Sequence, residues 1–173
     1  MARVLIVGCG CRGRLLGRLL AADGHAVRGT SRGHAGTLDI AAAGLEPWLG
    51  DPDRIASLTA ALDAVTILCW LLGSARGDAA SLAALHASRL ERMLEEAVDT
   101  TVRGVVYEAA GSVHAGVLAR GGELVGEASA RWSIPTATID HDPADHAGWL
   151  RAGKGAVDGL LGARGRYTRR RNT

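Results

Sequence analysis

The feature of this chain that most constrains its fold is a glycine-rich turn close to the N-terminus. An apolar run, Val4 to Val7, leads directly into Gly8-Cys9-Gly10-Cys11-Arg12-Gly13, and apolar residues at helical spacing follow. A strand, a GxGxxG turn and a helix in this order predict a unit that binds a dinucleotide. In such a unit the first glycine allows the tight turn, the second lets a pyrophosphate approach the backbone, and the third lets the helix pack closely on the sheet.

The start of the predicted helix offers a binding site for the phosphates. Unpaired backbone N–H groups and the positive end of the helix dipole favour an anion at this point. Arg12 adds a formal charge beside them, and Cys11 lies in the same turn. We therefore predict that the dinucleotide contacts Gly8, Gly10, Cys11, Arg12 and Gly13.

The end of the second predicted strand, residues 25–29, indicates which dinucleotide is bound. About 20 residues after the turn, an NAD site carries an acidic residue that binds the ribose 2′-hydroxyl. Here Thr30, Ser31 and Arg32 follow the strand, and no carboxylate is present at its end. Hydroxyls and a guanidinium suit a 2′-phosphate, so these residues favour NADP(H) over NAD. The alternative is that Ser31 caps the next helix and Arg32 is a solvated charge.

Length and composition limit the classes of protein that fit. With 173 residues the chain is long enough for one domain but too short for a dinucleotide-binding unit plus a large substrate domain. A formal net charge of +2 gives no electrostatic argument for nucleic-acid binding. Three cysteines, two of them in the glycine turn, do not form the pattern of a disulfide framework. No signal pattern precedes the first strand, and the apolar stretch 64–72 is too short to span a bilayer, so we expect a cytoplasmic protein without a membrane partner.

Strand-like and helix-like runs alternate along the chain, which is typical of a parallel sheet covered by helices on both faces. The predicted strands are residues 2–7, 25–29, 46–49, 64–71, 104–109 and 134–139. The predicted helices are residues 12–23, 33–43, 53–61, 78–98, 116–131 and 143–162. The pattern predicts a doubly wound α/β domain of the NAD(P)-binding Rossmann type, with three αβα layers and a mainly parallel sheet, over residues 1–163. A basic, disordered tail, residues 164–173, would follow it.

In their order, these motifs resemble those of the short-chain dehydrogenase/reductase superfamily, specifically its extended and atypical branch of NAD-dependent epimerase/dehydratase-like proteins. Beyond the glycine turn, the segments that carry the resemblance are Gly29 to Arg32, Leu49 to Pro52, Leu71 to Gly73, Arg103 to Tyr107 and Ser133 to Ile139. In the family, the segment after the third strand meets the adenine and the turn after the fourth strand lines the cofactor ribose. The resemblance therefore implies further cofactor contacts from Asp51, Pro52, Leu71, Leu72 and Gly73.

The catalytic part of the family pattern is not intact in this chain. Family members use a Tyr for proton transfer, a Lys four residues later, and a Ser or Thr after the fifth strand. Neither Tyr107 nor Tyr167 has a Lys four residues on. Ser112 and His114 follow the fifth predicted strand, and we predict that they orient a substrate carbonyl and donate a proton. The alternative for His114 is a solvated loop residue.

Two functions fit these observations. The first is an atypical oxidoreductase or epimerase-like enzyme that uses NADP(H) on a small carbonyl or hydroxyl substrate. The second is a non-catalytic module that senses NADP(H) or binds a partner. In either case so short a chain would leave the cleft open, which predicts a homodimer that completes it. The segment Asp140 to His146 contains the residue types of a metal site, but Asp142 capping the last helix explains it better, so we expect no metal.

Overall fold

The structure is a computed structural model that describes residues 1–169, with side chains described for residues 1–162. The strands are β1 (Arg3–Val7), β2 (Ala26–Ser31), β3 (Glu46–Leu49), β4 (Ile67–Trp70), β5 (Gly104–Glu108) and β6 (Thr136–Ile139). The helices are α1 (Cys11–Ala22), α2 (His34–Ala42), α3 (Ala56–Thr59), α4 (Ala79–Leu85), α5 (Ser88–Val98), α6 (Ala115–Trp132) and α7 (His146–Arg169), with a short 3-10 helix, Ala60–Leu62, after α3. None of the helices within residues 1–169 is long and apolar enough to cross a bilayer.

The six strands form one parallel sheet in the order β3-β2-β1-β4-β5-β6. β1 pairs with β2 on one side, where Val4 lies beside Val27, and with β4 on the other, where Val4 lies beside Ile67. The direction in which strands are added therefore reverses between β1 and β4. This order is that of the doubly wound Rossmann fold, so the predicted fold class is confirmed. In such sheets a ligand crevice forms at the carboxyl ends of the strands, next to the reversal.

The core has two apolar clusters, one on each face of the sheet. β1 contributes to both, since Leu5 and Val7 belong to one cluster and Val4 and Ile6 to the other. Alternation along a strand requires this division. Helices α3 to α6 cover the first cluster, and α1, α2 and α7 cover the second. Burial on both faces explains why the central strands are apolar at nearly every position.

The predicted helix 78–98 is wrong in one respect, because the structure divides it into α4 and α5. The division falls at His86 and Ala87, and Ala87 has a non-helical backbone. The His86 ring is fully buried and hydrogen-bonds Tyr107 and the Leu72 carbonyl. These tertiary hydrogen bonds involve residues far away in sequence, so helical periodicity does not reveal the break.

The predicted strand 64–71 is longer than β4, which spans Ile67–Trp70. Ala64 has φ +57°, in the left-handed region, which an extended strand does not contain. The apolar run begins before the strand because Val65 is buried in the core even though it lies in the preceding turn.

The predicted start of the last helix is also wrong. α7 begins at His146, and Asp145, not Asp142, accepts a hydrogen bond from the backbone N–H of Gly148 at 2.9 Å. Asp142 instead accepts from the N–H of Ala144 within the preceding turn. α7 is described as far as Arg169. The side chains of 164–169 and all of 170–173 lie outside the described residues, so the basic tail stays a prediction.

Candidate functional site

A cavity of about 520 Å³ lies at the carboxyl ends of the strands, next to the reversal of strand order. Its lining brings together the glycine turn, the end of β2, the segments that follow β3 and β4, the end of β5 and the start of α7. The predicted cofactor-binding residues that line it are Gly8, Gly10, Cys11, Arg12, Gly13, Thr30, Ser31, Arg32, Pro52, Leu71 and Leu72. The fold thus places four predicted segments that are distant in sequence around one opening.

Each glycine of the turn meets a different geometric demand. Gly8 has φ +84°, and a Cβ at this position would overlap the carbonyl oxygen of Leu71. A Cβ on Gly13 would lie 3.2 Å from the carbonyl oxygen of Gly8, which reflects the close approach of α1 to the turn. Gly10 has open space around its Cβ position and precedes the first residue of α1. The cavity therefore exposes a bare backbone segment beside a helix N-terminus, whose first N–H groups have no intrahelical acceptor.

The end of β2 lines the cavity on the opposite side of β1 from β4 and β5. Thr30 is buried, and its hydroxyl accepts a hydrogen bond of 3.4 Å from the backbone N–H of Gly8, so it braces the glycine turn. Ser31 hydrogen-bonds both backbone groups of Gly33, at 3.1 and 3.3 Å. Gly33 itself occupies the N-cap position of α2, so Ser31 is not the N-cap residue. Arg32 is exposed at the rim.

The charges that line the cavity are predominantly positive. Arg14 of α1 lies near the Asp39 carboxylate of α2, at 3.4 Å, and lines the cavity, as Arg32 does. Among the described residues, the arginines in the lining outnumber the carboxylates: Arg12, Arg14, Arg32 and Arg76 against Asp53 and Glu108. Such a lining favours an anionic ligand with more than one charge.

The end of β5 carries a buried carboxylate that the sequence analysis missed. The Glu108 side chain is 1% exposed and lines the floor of the cavity. Its Oε2 accepts from the Gly73 N–H at 2.8 Å, and its Oε1 accepts from the indole N–H of Trp149 at 2.9 Å. Burial raises the pKa of Glu108, against the opposing effects of these hydrogen bonds and of Arg12. A charged residue at the end of an apolar strand, Val105-Val106-Tyr107-Glu108, is the signal that could have identified it.

Arg12 points to this carboxylate. Its Nη2 donates to Ser74 Oγ at 2.9 Å and to Glu108 Oε1 at 3.4 Å, and its guanidinium lies over the Trp149 ring at 5.3 Å. Arg12 therefore belongs to the glycine turn by sequence, while its charge lies beside the floor of the cavity. Ser74, Glu108 and Trp149 come from three separate elements, and the motif pattern does not include any of them.

Several predicted site residues lie outside the cavity lining. Asp51 is held in a local turn, where its Oδ1 accepts from the N–H of Asp53 at 3.0 Å. Gly73 lies behind the lining and donates to Glu108. Ser112 is exposed, and His114 is the N-cap of α6, where its Nδ1 accepts from the Gly116 N–H at 3.1 Å. Their predicted roles stay predictions.

The segment before α7 forms local pairs. His141 Nε2 lies 2.8 Å from Asp145 Oδ2, and Asp145 also caps the helix. Within the part of the chain that the structure describes, no group of three or more His, Cys, Asp or Glu side chains is arranged to hold a metal ion.

Comparison with known proteins identifies the fold. No family model matches the chain, and no curated protein sequence matches it. A short-chain dehydrogenase/reductase superfamily protein from Agrobacterium tumefaciens, crystallised with NAD, superposes with a TM-score of 0.66 at 21% identity, over 79% of this chain and 48% of that one. Triphenylmethane reductase from Citrobacter sp., in complex with NADP(H), gives 0.59 at 20% identity, over 79% and 48%.

A third solved structure is a variant of UDP-glucuronic acid 4-epimerase from Bacillus cereus with NAD and a fluorinated substrate analogue. It superposes with a TM-score of 0.63 at 13% identity, over 79% of this chain and 55% of that one. This chain spans about half the length of these three structures. The likeness therefore concerns their dinucleotide-binding fold.

Proposed function

We propose that the cavity binds a nicotinamide dinucleotide and that the protein is an atypical NADP(H)-dependent member of the short-chain dehydrogenase/reductase superfamily. The observation that carries this proposal is the open backbone at Gly10, which lies at the N-terminus of α1 and next to the reversal of strand order. Backbone N–H groups and a helix dipole at that point suit a pyrophosphate. The solved structures of similar fold, two with NAD and one with NADP(H), support the same ligand class.

The residues that line the cavity can be assigned to different parts of a dinucleotide. The glycine turn would hold the pyrophosphate, and Ser31 and Arg32 would hold the ribose of the adenosine half. Pro52 and Leu72 add apolar surface in the lining. When bound, the nicotinamide supplies hydride-transfer chemistry. The protein's contribution is to hold and orient the ligand.

A preference for NADP(H) follows from the charges around the end of β2. The three residues Thr30, Ser31 and Arg32 include no carboxylate to accept from a ribose 2′-hydroxyl, and Arg14 also lines the cavity. Two guanidiniums and a hydroxyl match the oxygens of a 2′-phosphate. An exposed Arg32 is free to turn toward such a ligand.

The enzyme proposal assigns a small carbonyl or hydroxyl compound as substrate, with Ser112 and His114 as the groups that orient it and donate a proton. A homodimer would close the open side of the cavity. An assay of NADPH oxidation with a panel of aldehydes and ketones tests this role, with Ser112→Ala and His114→Ala as variants. Turnover that both variants reduce supports the assignment, whereas turnover that neither variant changes opposes it.

One observation favours a second candidate function, a non-catalytic module that senses NADP(H) or binds a partner. Tyr107 is fully buried in the core and outside the cavity lining, and Ser112 and His114 also lie outside it. A sensor would bind the dinucleotide without consuming it. Its oligomeric state or its affinity for a partner would then change with the ligand.

The first experiment is a calorimetric titration of the protein with NADPH, NADP, NADH and NAD, repeated with Arg32→Ala. We expect NADP(H) to bind more tightly than NAD(H), and the variant to lose this difference. Arg18→Ala is the matched control, because Arg18 is an exposed arginine of α1 outside the lining. If none of the four ligands binds, the proposal is wrong.

A further inference from the structure

We infer that Glu108 is a resident counter-anion for Arg12 and that the pyrophosphate of a bound dinucleotide displaces it. The inference rests on the proposed function and assigns Glu108 a role in setting the affinity of the same site. It also gives Arg12 two alternative partners. One is the carboxylate on the floor of the cavity, and the other is the ligand beside the glycine turn.

Glu108 keeps two of its hydrogen bonds when the Arg12 side chain moves away. The two shorter bonds of its carboxylate come from the Gly73 N–H at 2.8 Å and the Trp149 indole at 2.9 Å. The Arg12 contact is longer, at 3.4 Å. Without Arg12, each carboxylate oxygen of Glu108 still accepts one hydrogen bond. The contact with Arg12 can therefore be lost while the buried carboxylate remains hydrogen-bonded.

Arg12 is not fully satisfied in its present position. Only Nη2 of the guanidinium donates, to Ser74 and Glu108, and Nε is buried without a partner among the described residues. A guanidinium has five N–H donors in a planar fork that suits phosphate oxygens. The side chain is 26% exposed and lines the cavity, so it has room to turn. A phosphate group beside α1 would satisfy donors that Glu108 leaves unpaired.

Because of the position of Arg12 in the chain, this exchange of partners requires only a small movement. Arg12 lies in the first turn of α1, which begins at Cys11 directly after Gly10. Its backbone therefore stays at the phosphate site while its side chain reaches across to β5. A rotation of the side chain alone changes its partner, and no element of the sheet has to move.

The exchange has an energetic consequence that a mutation can measure. In the free protein the carboxylate competes with the ligand for the guanidinium, so its charge lowers the affinity for a polyanion. Replacing the carboxylate by a neutral amide removes this competition, while the one amide oxygen accepts from either the Gly73 N–H or the Trp149 indole N–H. The effect depends on Arg12, because Glu108 acts through that side chain.

The test is a double-mutant cycle measured by calorimetric titration with NADPH, using wild type, Glu108→Gln, Arg12→Met and the double variant. We expect Glu108→Gln to tighten binding about fivefold, the ratio that corresponds to one partly exposed ion pair. In the Arg12→Met background the same change should have no effect. Unchanged or weaker binding in Glu108→Gln, or tightening that persists without Arg12, would overturn the inference.

Asp53→Asn is the matched control, since Asp53 is the other carboxylate among the described lining residues. It tests whether loss of any negative charge tightens binding, and such an effect would not depend on Arg12. Thermal unfolding of every variant verifies that it is folded. If Glu108→Gln does not fold, Glu108→Asp replaces it, because the shorter side chain draws the carboxylate back from Arg12. Tighter NADPH binding by Glu108→Asp that disappears in the Arg12→Met background supports the inference, and unchanged or weaker binding opposes it.

The two proposals fail in different ways. If wild type binds none of the four dinucleotides, the proposed function is wrong. If wild type binds NADPH and Glu108→Gln does not bind it more tightly, only the displacement of Glu108 is wrong.

Discussion

The hydroxyl of Tyr107 lies 2.7 Å from Nδ1 of His86, in the core and away from the cavity. The other ring nitrogen of His86, Nε2, lies 3.2 Å from the carbonyl oxygen of Leu72. Because a carbonyl oxygen only accepts, Nε2 of the neutral ring carries the proton. Nδ1 and the Leu118 carbonyl, 3.1 Å from the hydroxyl, are then both acceptors for the one O–H of Tyr107. Burial lowers the pKa of His86 and raises that of Tyr107, and both shifts favour the neutral form. Tyr107 therefore ties β5 to the junction of α4 and α5.

This relationship predicts that Tyr107→Phe destabilises the protein without altering its site. The variant leaves Nδ1 of His86 buried without a donor, and the free energy of unfolding should fall by about 1 to 3 kcal/mol. NADPH affinity should stay that of wild type. Urea unfolding followed by circular dichroism measures the first quantity, and calorimetry measures the second. A variant with wild-type stability and no NADPH binding would instead place Tyr107 in the binding site.

The glycine turn predicts opposite effects for two similar substitutions. Gly10→Ala should leave stability nearly unchanged, because its Cβ enters open space, but should weaken NADPH binding, because the methyl group occupies the path of the pyrophosphate. Gly8→Ala should destabilise the fold itself, because the residue has φ +84° and its Cβ would overlap the Leu71 carbonyl. Thermal unfolding and calorimetry distinguish the two effects.

Gly126→Ala is the control for these glycines. Gly126 lies within α6, also with open space around its Cβ position, and alanine there should stabilise the helix by up to about 1 kcal/mol. NADPH affinity should not change. If Gly10→Ala behaves like Gly126→Ala in the binding experiment, the pyrophosphate does not approach the backbone at Gly10.

The Arg28–Glu46 pair predicts a pH-dependent contribution to stability. Burial acts to raise the pKa of Glu46, but hydrogen bonds and charge from Arg28 and Arg3 outweigh it and lower the pKa. A carboxyl whose folded-state pKa is lowered stabilises the protein above its unfolded pKa, and this stabilisation is lost as the pH falls through the folded value. Glu46→Gln should therefore lower the urea midpoint at pH 7, and the difference from wild type should disappear in acid.

Glu127→Gln is the comparison for this measurement. Glu127 lies on the exposed surface of α6, 3.5 Å from Arg120, where solvent screens the pair. Its urea midpoint should stay close to that of wild type at both pH values. A difference between Glu46→Gln and wild type that is the same at neutral and acid pH would contradict the assignment to the Arg28–Glu46 pair.

The three cysteines should differ sharply in reactivity. Cys9 and Cys69 are buried, and burial raises the pKa of Cys9 to about 12 and raises that of Cys69 as well. Cys11 is exposed in the cavity lining. Because the thiolate is the reactive form, iodoacetamide at pH 7 should label Cys11 first, and saturating NADPH should protect it. Peptide mass spectrometry measures the site and rate, and urea-unfolded protein, in which all three react, is the control.

Protection of Cys11 by NADPH also tests where the ligand binds. NADH at the same concentration should protect less, in proportion to its weaker binding. Equal labelling rates with and without a ligand that calorimetry shows to be bound would locate that ligand away from the glycine turn.

The features that depend on local spacing could be predicted from the amino-acid sequence. Gly8, Gly10 and Gly13 follow an apolar strand at fixed intervals, and each of these residues constrains the backbone within a few positions of itself. Alternating strand-like and helix-like runs, with wholly apolar central strands, are sufficient to predict the parallel sheet, because burial on both faces dictates composition. The absence of a carboxylate after β2 is likewise visible without coordinates.

The side chains that meet across the cavity could not be predicted in this way, because they come from elements that are distant in sequence. Glu108, Ser74 and Trp149 lie on separate elements, and folding brings them to Arg12, from which Glu108 is 96 positions away in sequence. The division between α4 and α5 coincides with the buried His86 ring, whose hydrogen bonds join it to distant segments and have no periodic signature along the chain. The choice of Asp145 rather than Asp142 as the cap of α7 is a local difference of three positions in where the helix begins. Residue spacing therefore predicts local backbone geometry. The polar contacts on the floor of the cavity form only when the folded sheet brings the ends of its strands together.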